Sequence, residues 1–193
     1  MQGMIKMRKR KVMIIGTGGI GSYLIPLLNK TGLYDMTIYD PDVVENKNIS
    51  YQNFEDEHVG MLKVDAMDAR YEIKETYGYP VLTAKQLGGY DLVICCADNL
   101  DIRRTMYNDK DLAWLDLRAQ GRNGILVSFL ENPDLYGELT SGPDGSFSCQ
   151  GDAWDGGNTN LHYMHVAVAG LGAEWIQRWF NEEDVFKHRM IAG

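Results

Sequence analysis

The chain has 193 residues, which is enough for one domain with a well-buried core and short for two. Its 27 acidic and 19 basic side chains give a net charge of −8 at pH 7, which argues against a nucleic acid or an anionic membrane as the partner. No apolar run approaches the roughly 18 to 20 residues of a membrane span, and no signal-peptide pattern follows the basic start, so a cytoplasmic protein is predicted.

A glycine-rich turn follows the first predicted strand, residues 11–15, and leads into a helix predicted over residues 21–31. Gly16, Gly18 and Gly21 have the spacing G-x-G-x-x-G. Glycines allow a tight turn and a close approach of the backbone to a ligand, and a helix start offers free N–H groups to an anion. The turn therefore predicts a phosphate-binding site.

The second apolar segment, residues 36–39, is predicted to be a strand that ends at Asp40. A carboxylate about twenty residues after such a turn can accept hydrogen bonds from both hydroxyl groups of a ribose. Alternating strands and helices predict a parallel sheet covered on both faces. The remaining elements expected in this half are strands 81–83 and 91–96 and helices 62–76 and 100–109.

The last third of the chain has a different pattern. Residues 112–120 and 124–131 read as β segments, and residues 137–160 have almost no periodic apolar signal. A final helix is predicted over residues 161–180, because apolar side chains recur at helical spacing. The predicted fold class is α/β, a doubly wound, mostly parallel Rossmann-like sheet with a C-terminal antiparallel β extension and a buried final helix.

Three cysteines, at positions 95, 96 and 149, contain no C-x-x-C pair. They cannot supply a tetrahedral thiolate site or a disulfide framework, so no zinc is expected and reducing conditions suit the chain. Cys95 and Cys96 lie at a strand end and are expected to be small core residues. His162 and His165 share a helix face, and a core or capping role is favoured over metal binding.

The glycine turn, Asp40, the segment KNISYQ, Lys63 and the strand that runs into Asp98 occur in an order that resembles the ThiF/MoeB/HesA family of ATP-dependent adenylating enzymes. The resemblance implies a homodimeric enzyme that adenylates the C-terminal carboxylate of a small ubiquitin-like protein or a peptide. It also implies one adenylation domain over residues 1–193. Residues 1–113 would form its nucleotide-binding half, and residues 114–193 its substrate-binding and dimerisation half.

By the same resemblance, Asp98 would hold Mg²⁺, Lys63 would neutralise the phosphates of ATP and Asp40 would bind the ribose. The remaining nucleotide contacts implied by the family pattern are Gly16, Gly18, Gly19, Gly21, Asn48 and Gln52. From the residues alone, Asp98 can also be read as the N-cap of the next helix, and Lys63 as a solvated helix residue.

This sequence departs from the family pattern at Tyr51, where the family has an arginine that contacts the triphosphate. A tyrosine cannot supply that charge. A second family arginine, which reaches across a dimer interface, belongs to N-terminal helices that have no counterpart here. Arg8 or Arg10 could take its place, and the alternative is a solvated N-terminal tail.

Three further side chains are candidates for contact with the acyl substrate. Cys149 lies where some family members have a cysteine that takes over the activated carboxyl or takes part in sulfur transfer, and a thiolate there would be a nucleophile. Arg118 and Arg122 could meet the carboxylate of the substrate, or be solvated. The competing functions are a nucleotide- or protein-binding module of the same fold and an NAD-dependent oxidoreductase, which would leave Lys63 and Asp98 unexplained.

Overall fold

A computed structural model describes residues 8–141, 149–151 and 154–193 of the chain. Seven strands form one sheet in the order β3-β2-β1-β4-β5-β6-β7. The strands are β1 Arg10–Ile15, β2 Tyr34–Tyr39, β3 Glu75–Tyr77, β4 Leu92–Cys95, β5 Trp114–Gln120, β6 Asn123–Ser128 and β7 His188–Ile191. The α-helices are α1 Gly21–Asn29, α2 Asn46–Ile49, α3 Lys63–Asp68, α4 Ala84–Leu87, α5 Leu100–Asn108, α6 Tyr136–Leu139 and α7 Met164–Phe180.

The sheet has a parallel and an antiparallel part. Strands β1 to β5 pair in parallel, and β6 and β7 pair antiparallel beyond them. The order of the strands reverses between β1 and β4, and ligands of open α/β sheets bind at the carboxyl ends of the strands next to such a switch point. The predicted fold class, including the antiparallel C-terminal extension, is confirmed.

Alternate side chains of β1 enter two separate hydrophobic cores, as the pleat of a strand requires. Val12 and Ile14 pack on the face covered by α1, α3 and α7. Met13 and Ile15 pack on the opposite face, against α5. Because both faces are covered, the four side chains are buried, and the β1 segment reads as a continuous apolar run.

Helix α7 approaches the β5–β6 hairpin closely. A Cβ atom added to Gly172 would lie 2.7 Å from Cδ1 of Leu117, and one added to Gly124 would lie 2.7 Å from Cγ2 of Val168. The buried residues of the helix recur every three or four positions, so the prediction of a buried final helix is confirmed. The helix begins at Met164, three residues later than predicted.

Two predicted elements before β4 are wrong. The third strand is Glu75–Tyr77 and pairs with β2, whereas residues 81–83 form no strand. Gln86 Oε1 accepts hydrogen bonds from the N–H groups of Leu82 and Thr83 and so holds this segment as the entry to α4. The predicted helix 62–76 ends at Asp68, which leaves the later residues free to pair with the sheet.

Among the described residues, no helix is both long and apolar enough to span a membrane.

Candidate active site

The glycine turn connects β1 to α1 and needs glycine at three of its positions. Gly16 has φ of +91°, and a Cβ atom there would lie 2.8 Å from the backbone nitrogen of Ala97, at the end of β4. A Cβ atom on Gly21 would collide with the carbonyl oxygen of Gly16. A Cβ atom on Gly19 would lie 2.7 Å from the Sγ atom of Cys149. The turn is therefore packed against two neighbouring segments that both reach the same edge of the sheet.

The backbone amides of this turn are the first sign of an anion site. The N–H groups of residues 18 to 21 donate to no acceptor in the described part of the chain. Helix α1 begins at Gly21, so the positive end of its dipole lies at the same place. A row of unpartnered amides at a helix start fits the oxygen atoms of a phosphate chain.

Asp40 lies directly after β2, beside the turn, and is 5% exposed. Its Oδ2 accepts hydrogen bonds from the N–H group of Thr17 at 2.7 Å and from its hydroxyl at 3.1 Å, and its Oδ1 accepts from the N–H group of Asp42 at 2.9 Å. Burial raises the pKa of this carboxyl, although the charge of Lys63 and the backbone hydrogen bonds act in the opposite direction. The residue that was predicted to bind ribose thus lies where the phosphate cradle begins.

Lys63 is the first residue of α3 and is 6% exposed, so the alternative of a solvated helix residue is wrong. Its Nζ atom is 2.9 Å from Oδ2 of Asp42, and Asp40 is close enough to act on its charge. Burial acts to lower the pKa of Lys63, but the two carboxylates outweigh it and the pKa is raised. The ammonium group therefore carries its charge at neutral pH on the Asp40 side of the turn.

Gln52 reaches the turn from the loop after α2. Its amide would lie 3.7 Å from a Cβ atom on Gly18, and its buried Oε1 atom has no hydrogen-bond partner. The side chain of Asn48, in contrast, caps its own segment, because its Oδ1 accepts from the N–H group of Glu45. An unsatisfied polar atom against a glycine turn is expensive in a folded protein and fits a place that a polar ligand completes.

Tyr51 is buried and cannot replace the arginine of the family pattern. Its hydroxyl accepts a hydrogen bond from Nε2 of Gln52, and its ring packs edge-on against Trp154. Its carbonyl oxygen accepts from Nε2 of His165, which is 1% exposed and belongs to the core. Tyr51 thus ties the loop of Gln52 to helix α7 instead of contributing charge.

Asp98 follows β4 on the other side of the turn, and it is not the cap of α5. The cap is Asn99, whose Oδ1 accepts from the N–H group of Asp101 at 2.7 Å. Asp98 is half-buried and lines a cavity of about 300 Å³ together with Cys149. Burial and, to a lesser extent, the charge of Asp98 raise the pKa of Cys149 to about 11, although Arg103 and Lys63 act to lower it. The thiol is therefore protonated at neutral pH.

A buried charge network forms the floor of this cavity. Asp116, on β5, is fully buried and accepts hydrogen bonds from Nε of Arg103 at 3.0 Å, from Nε of Arg118 at 2.8 Å and from the hydroxyl of Tyr107. Burial acts to raise the pKa of Asp116, but the two guanidinium groups outweigh it and the pKa is lowered. Two cations share one carboxylate, so the network has a net positive charge beside the cavity.

This network was not predicted from the sequence. Arg103 was seen only as part of the helix after Asp98, and Asp116 was seen only as part of a β segment. The available signal was a charged residue in the middle of an apolar strand, WLDLR, since such a residue needs a buried partner. Arg118, which was a candidate for the substrate carboxylate, is committed to Asp116, to Tyr107 and to the carbonyl oxygen of Leu139.

Arg10 lies away from the glycine turn of its own chain, and its predicted role across a dimer interface stays a prediction. Arg10 is the first residue of β1, whereas the glycine turn follows the last residue of β1. The two therefore lie at opposite ends of this strand. Six residues of strand span about 16 to 20 Å. The guanidinium group lies over the ring of Phe180, 5.3 Å from its centre.

The comparison with known protein families decides the classification. The profile of the ThiF family matches residues 1–134. The chain belongs to the ThiF family. Ubiquitin-like modifier-activating enzyme 5 of Bombyx mori is 27% identical over 134 residues, which cover 58% of this chain and 34% of that protein. The adenylyltransferase and sulfurtransferase uba4 of Neosartorya fischeri is 32% identical over 150 residues, which cover 74% of this chain and 30% of that protein.

This ThiF-family chain spans about a third of the length of these curated relatives. Among solved structures, PaaA is similar with a TM-score of 0.66 at 18% identity, over 95% of this chain and 64% of that one. MccB of E. coli, solved with ATP, is similar with a TM-score of 0.66 at 15% identity, over 96% of this chain and 61% of that one. At such identities the two structures support the shared fold.

Proposed function

We propose that this chain binds ATP and transfers its AMP group to a C-terminal carboxylate, which gives an acyl-adenylate and pyrophosphate. The observation that carries the proposal is the row of unpartnered amides at residues 18 to 21, flanked by Asp40 on one side and Asp98 on the other. Membership of the ThiF family and relatives named as modifier-activating enzymes and adenylyltransferases support it.

We propose that the parts of the two reactants bind side by side, in the order of the strands. Asp40 follows β2, the glycine turn follows β1, Asp98 follows β4, and the cavity lies over β5 and β6. Under the proposal, the ribose binds at Asp40, the phosphates at the turn, and the acyl substrate in the cavity. The carboxylate then approaches the α-phosphorus from the β5 side, opposite the bond to the leaving pyrophosphate.

Each charged side chain has one task in the proposed step. Lys63 neutralises phosphate charge from the β2 side, and its buried ammonium group requires no reorganisation when charge develops. Asp98 would hold Mg²⁺, which would supply positive charge to stabilise the phosphates. In the described part of the chain no three ligating side chains form a ready metal site. One carboxylate plus the phosphates of the nucleotide is a usual ligand set for this ion.

The chemistry is a displacement at the α-phosphorus. One oxygen of the substrate carboxylate forms a bond to this phosphorus, the bond from phosphorus to the bridging oxygen of the β-phosphate breaks, and pyrophosphate leaves with that electron pair. The amides of the turn hold the α-phosphate in line. The step consumes no proton and needs no general base to remove one. The acyl-adenylate is the end point, and a covalent role for Cys149 stays a prediction, because its thiol is protonated where it lies.

The acyl substrate that we propose is a small ubiquitin-like protein or a peptide with a free C-terminal carboxylate. One of the MccB structures is a complex with N-formylated MccA, which supports a protein or peptide ligand on this fold. We also propose a homodimer, as the family resemblance implies, in which Arg8 or Arg10 would reach the site of a second copy.

Exchange of labelled pyrophosphate into ATP, with a panel of peptides and ubiquitin-like proteins, tests the function. We expect exchange with at least one carboxylate, and a loss of about 10²-fold or more in Lys63→Met and Asp98→Asn, because each removes charge stabilisation from the step. Lys85→Met and Asp101→Asn are matched controls on exposed positions of α4 and α5 and should keep full exchange. Binding of ATP without exchange for any partner would identify a nucleotide-binding module instead, and stronger binding of NAD than of ATP would identify an oxidoreductase.

A further inference from the structure

Arg103 has hydrogen-bonding capacity that the fold does not use. It is 5% exposed, and only its Nε–H group donates to Asp116. The four N–H groups on its two terminal nitrogens donate to no acceptor in residues 8–141, 149–151 and 154–193. Because they have no protein acceptor, these four donors are available to water or to a ligand that enters the cavity.

The unused face of Arg103 lies at the cavity. Arg103 lines it, and the terminal nitrogens keep access to solvent although the residue as a whole is buried. Asp116 holds the Nε edge of the group, and Tyr107, which stacks on Trp114 with ring centres 4.4 Å apart, helps to hold Asp116. The orientation of the guanidinium group is thus fixed by Asp116. Its two terminal nitrogens are preorganised for a bidentate contact.

The network of Arg103, Asp116 and Arg118 favours an anion at Arg103, and the carboxylate of Asp98 also lines the cavity. Arg103 and Arg118 share the single negative charge of Asp116. Arg118 also donates hydrogen bonds to the carbonyl oxygen of Leu139 and the hydroxyl of Tyr107. The remaining positive charge therefore acts at Arg103. A cavity of about 300 Å³ has the volume of about ten water molecules, which is enough for the end of a peptide chain. Apolar walls from Ile20, Leu117 and Ile125 suit the aliphatic part of such a ligand.

We propose that Arg103 binds the C-terminal carboxylate of the acyl substrate through its two terminal nitrogens and holds it beside Asp98 and the glycine turn. The inference rests on the proposed function for the identity of the ligand, and it deepens it by assigning the residue that recognises the carboxylate. A carboxylate fits better than pyrophosphate, because the cavity lies on the β5 side of Asp98, whereas the amides for phosphate lie on the β1 side.

Binding of a small probe to the wild-type protein tests the assignment without any turnover. N-acetylglycylglycine and N-acetylglycylglycinamide differ only in the terminal carboxylate. We expect the acid to shift the ¹⁵N resonances of the Arg103 side chain and to bind about ten- to a hundredfold more tightly than the amide, the range for a hydrogen bond to a charged group. Equal binding of acid and amide, or no shift with either up to solubility, would overturn the assignment.

Two variants sharpen the result. Arg103→Lys keeps the positive charge but loses the bidentate contact, so the preference for the acid should fall to about that of a point charge, within a few fold of the amide. Arg104→Lys, the adjacent arginine on the same helix, binds Asp101 and the carbonyl oxygen of Thr140 and should keep the wild-type preference. If Arg103→Lys fails to fold, the wild-type comparison still decides.

Inorganic pyrophosphate provides the competing arm. A shift of the Arg103 resonances by pyrophosphate, with none by the peptide acid, would assign the residue to the leaving group and would refute our proposal. The failure of adenylation itself would be seen separately, as the absence of pyrophosphate exchange while the acid still binds at Arg103.

Discussion

Asp40, directly after β2, and Asp116, on β5, are both buried carboxylates, yet their surroundings differ in kind. Asp116 is surrounded by two guanidinium groups and a hydroxyl, and its pKa is lowered. Asp40 accepts hydrogen bonds from Thr17 and Asp42, while the nearby ammonium group of Lys63 bonds to Asp42 instead. The pKa of Asp40 is raised. The folded chain stabilises the charged form of Asp116, whereas it disfavours the charged form of Asp40.

This difference separates a structural acid from a ligand-binding one. A carboxylate whose charge is fully compensated by the protein gains little from a further donor. Asp40, in contrast, gains from any donor that a ligand supplies, and the two hydroxyl groups of a ribose are such donors. The contrast explains why the charge of Asp116 fixes the floor of the cavity while that of Asp40 is available to a nucleotide.

Removal of the structural acid should have the largest effect. Asp116→Ala leaves the buried Arg103 and the partly buried Arg118 without their shared partner, and we expect the free energy of unfolding to fall by about 3 to 5 kcal/mol. Asp40→Ala should cost less, because the wild-type carboxylate is already disfavoured by burial. Urea denaturation at pH 7 measures both values, and a larger loss in Asp40→Ala would contradict the distinction.

The pH dependence of stability should have opposite signs for the two acids. The pKa of Asp116 is lower in the folded protein than the unfolded value of about 3.9, so its contribution is present at neutral pH and is lost as the pH falls below that value. The pKa of Asp40 is raised, so its cost appears as the pH rises above about 3.9.

Asparagine variants isolate these two terms. Relative to wild type, Asp40→Asn should gain stability as the pH rises from 4 to 7, by about 1.4 kcal/mol for each unit by which the folded pKa exceeds the unfolded one. Asp116→Asn should lose stability relative to wild type over the lower range as the pH rises. Denaturation at a series of pH values gives both curves, and curves of the same sign would refute the comparison.

Single hydroxyl groups should give the smallest effects. Tyr107→Phe removes a donor to Asp116 and an acceptor for Arg118, and a loss of about 1.5 to 3 kcal/mol is expected for hydrogen bonds to charged groups. Thr17→Val removes only the longer of two hydrogen bonds to Oδ2 of Asp40, since the backbone N–H group still donates, so about 0.5 to 1.5 kcal/mol is expected. Thermal unfolding of both variants provides the ranking.

The parts of the fold that could be predicted from the sequence are those with strong local signals. The glycine spacing, the apolar run of β4 and the periodicity of α7 each specify their element. The short strand Glu75–Tyr77 was missed because three residues next to a helix carry little pattern, and its place is fixed by pairing with β2. Leu82 and Thr83 were assigned to a strand by their composition, whereas the side chain of Gln86 holds them outside the sheet.

The same distinction applies to the site. Asp40, Lys63 and Asp98 lie around the glycine turn, where their places in the sequence order put them. The role of Arg103 could not be predicted, because it depends on which donors remain unused after Asp116 has accepted one, and this is a property of three-dimensional packing.

The glycines beneath helix α7 have a consequence for how relatives with other cavities could arise. Leu117 and Gly124 belong both to the cavity lining and to the contact with the helix. A methyl group gained at Gly124 or Gly172 would push the hairpin and the helix apart, and the chamber would change its dimensions with them. The dimensions of the cavity therefore depend on two glycines at which helix α7 packs against the hairpin.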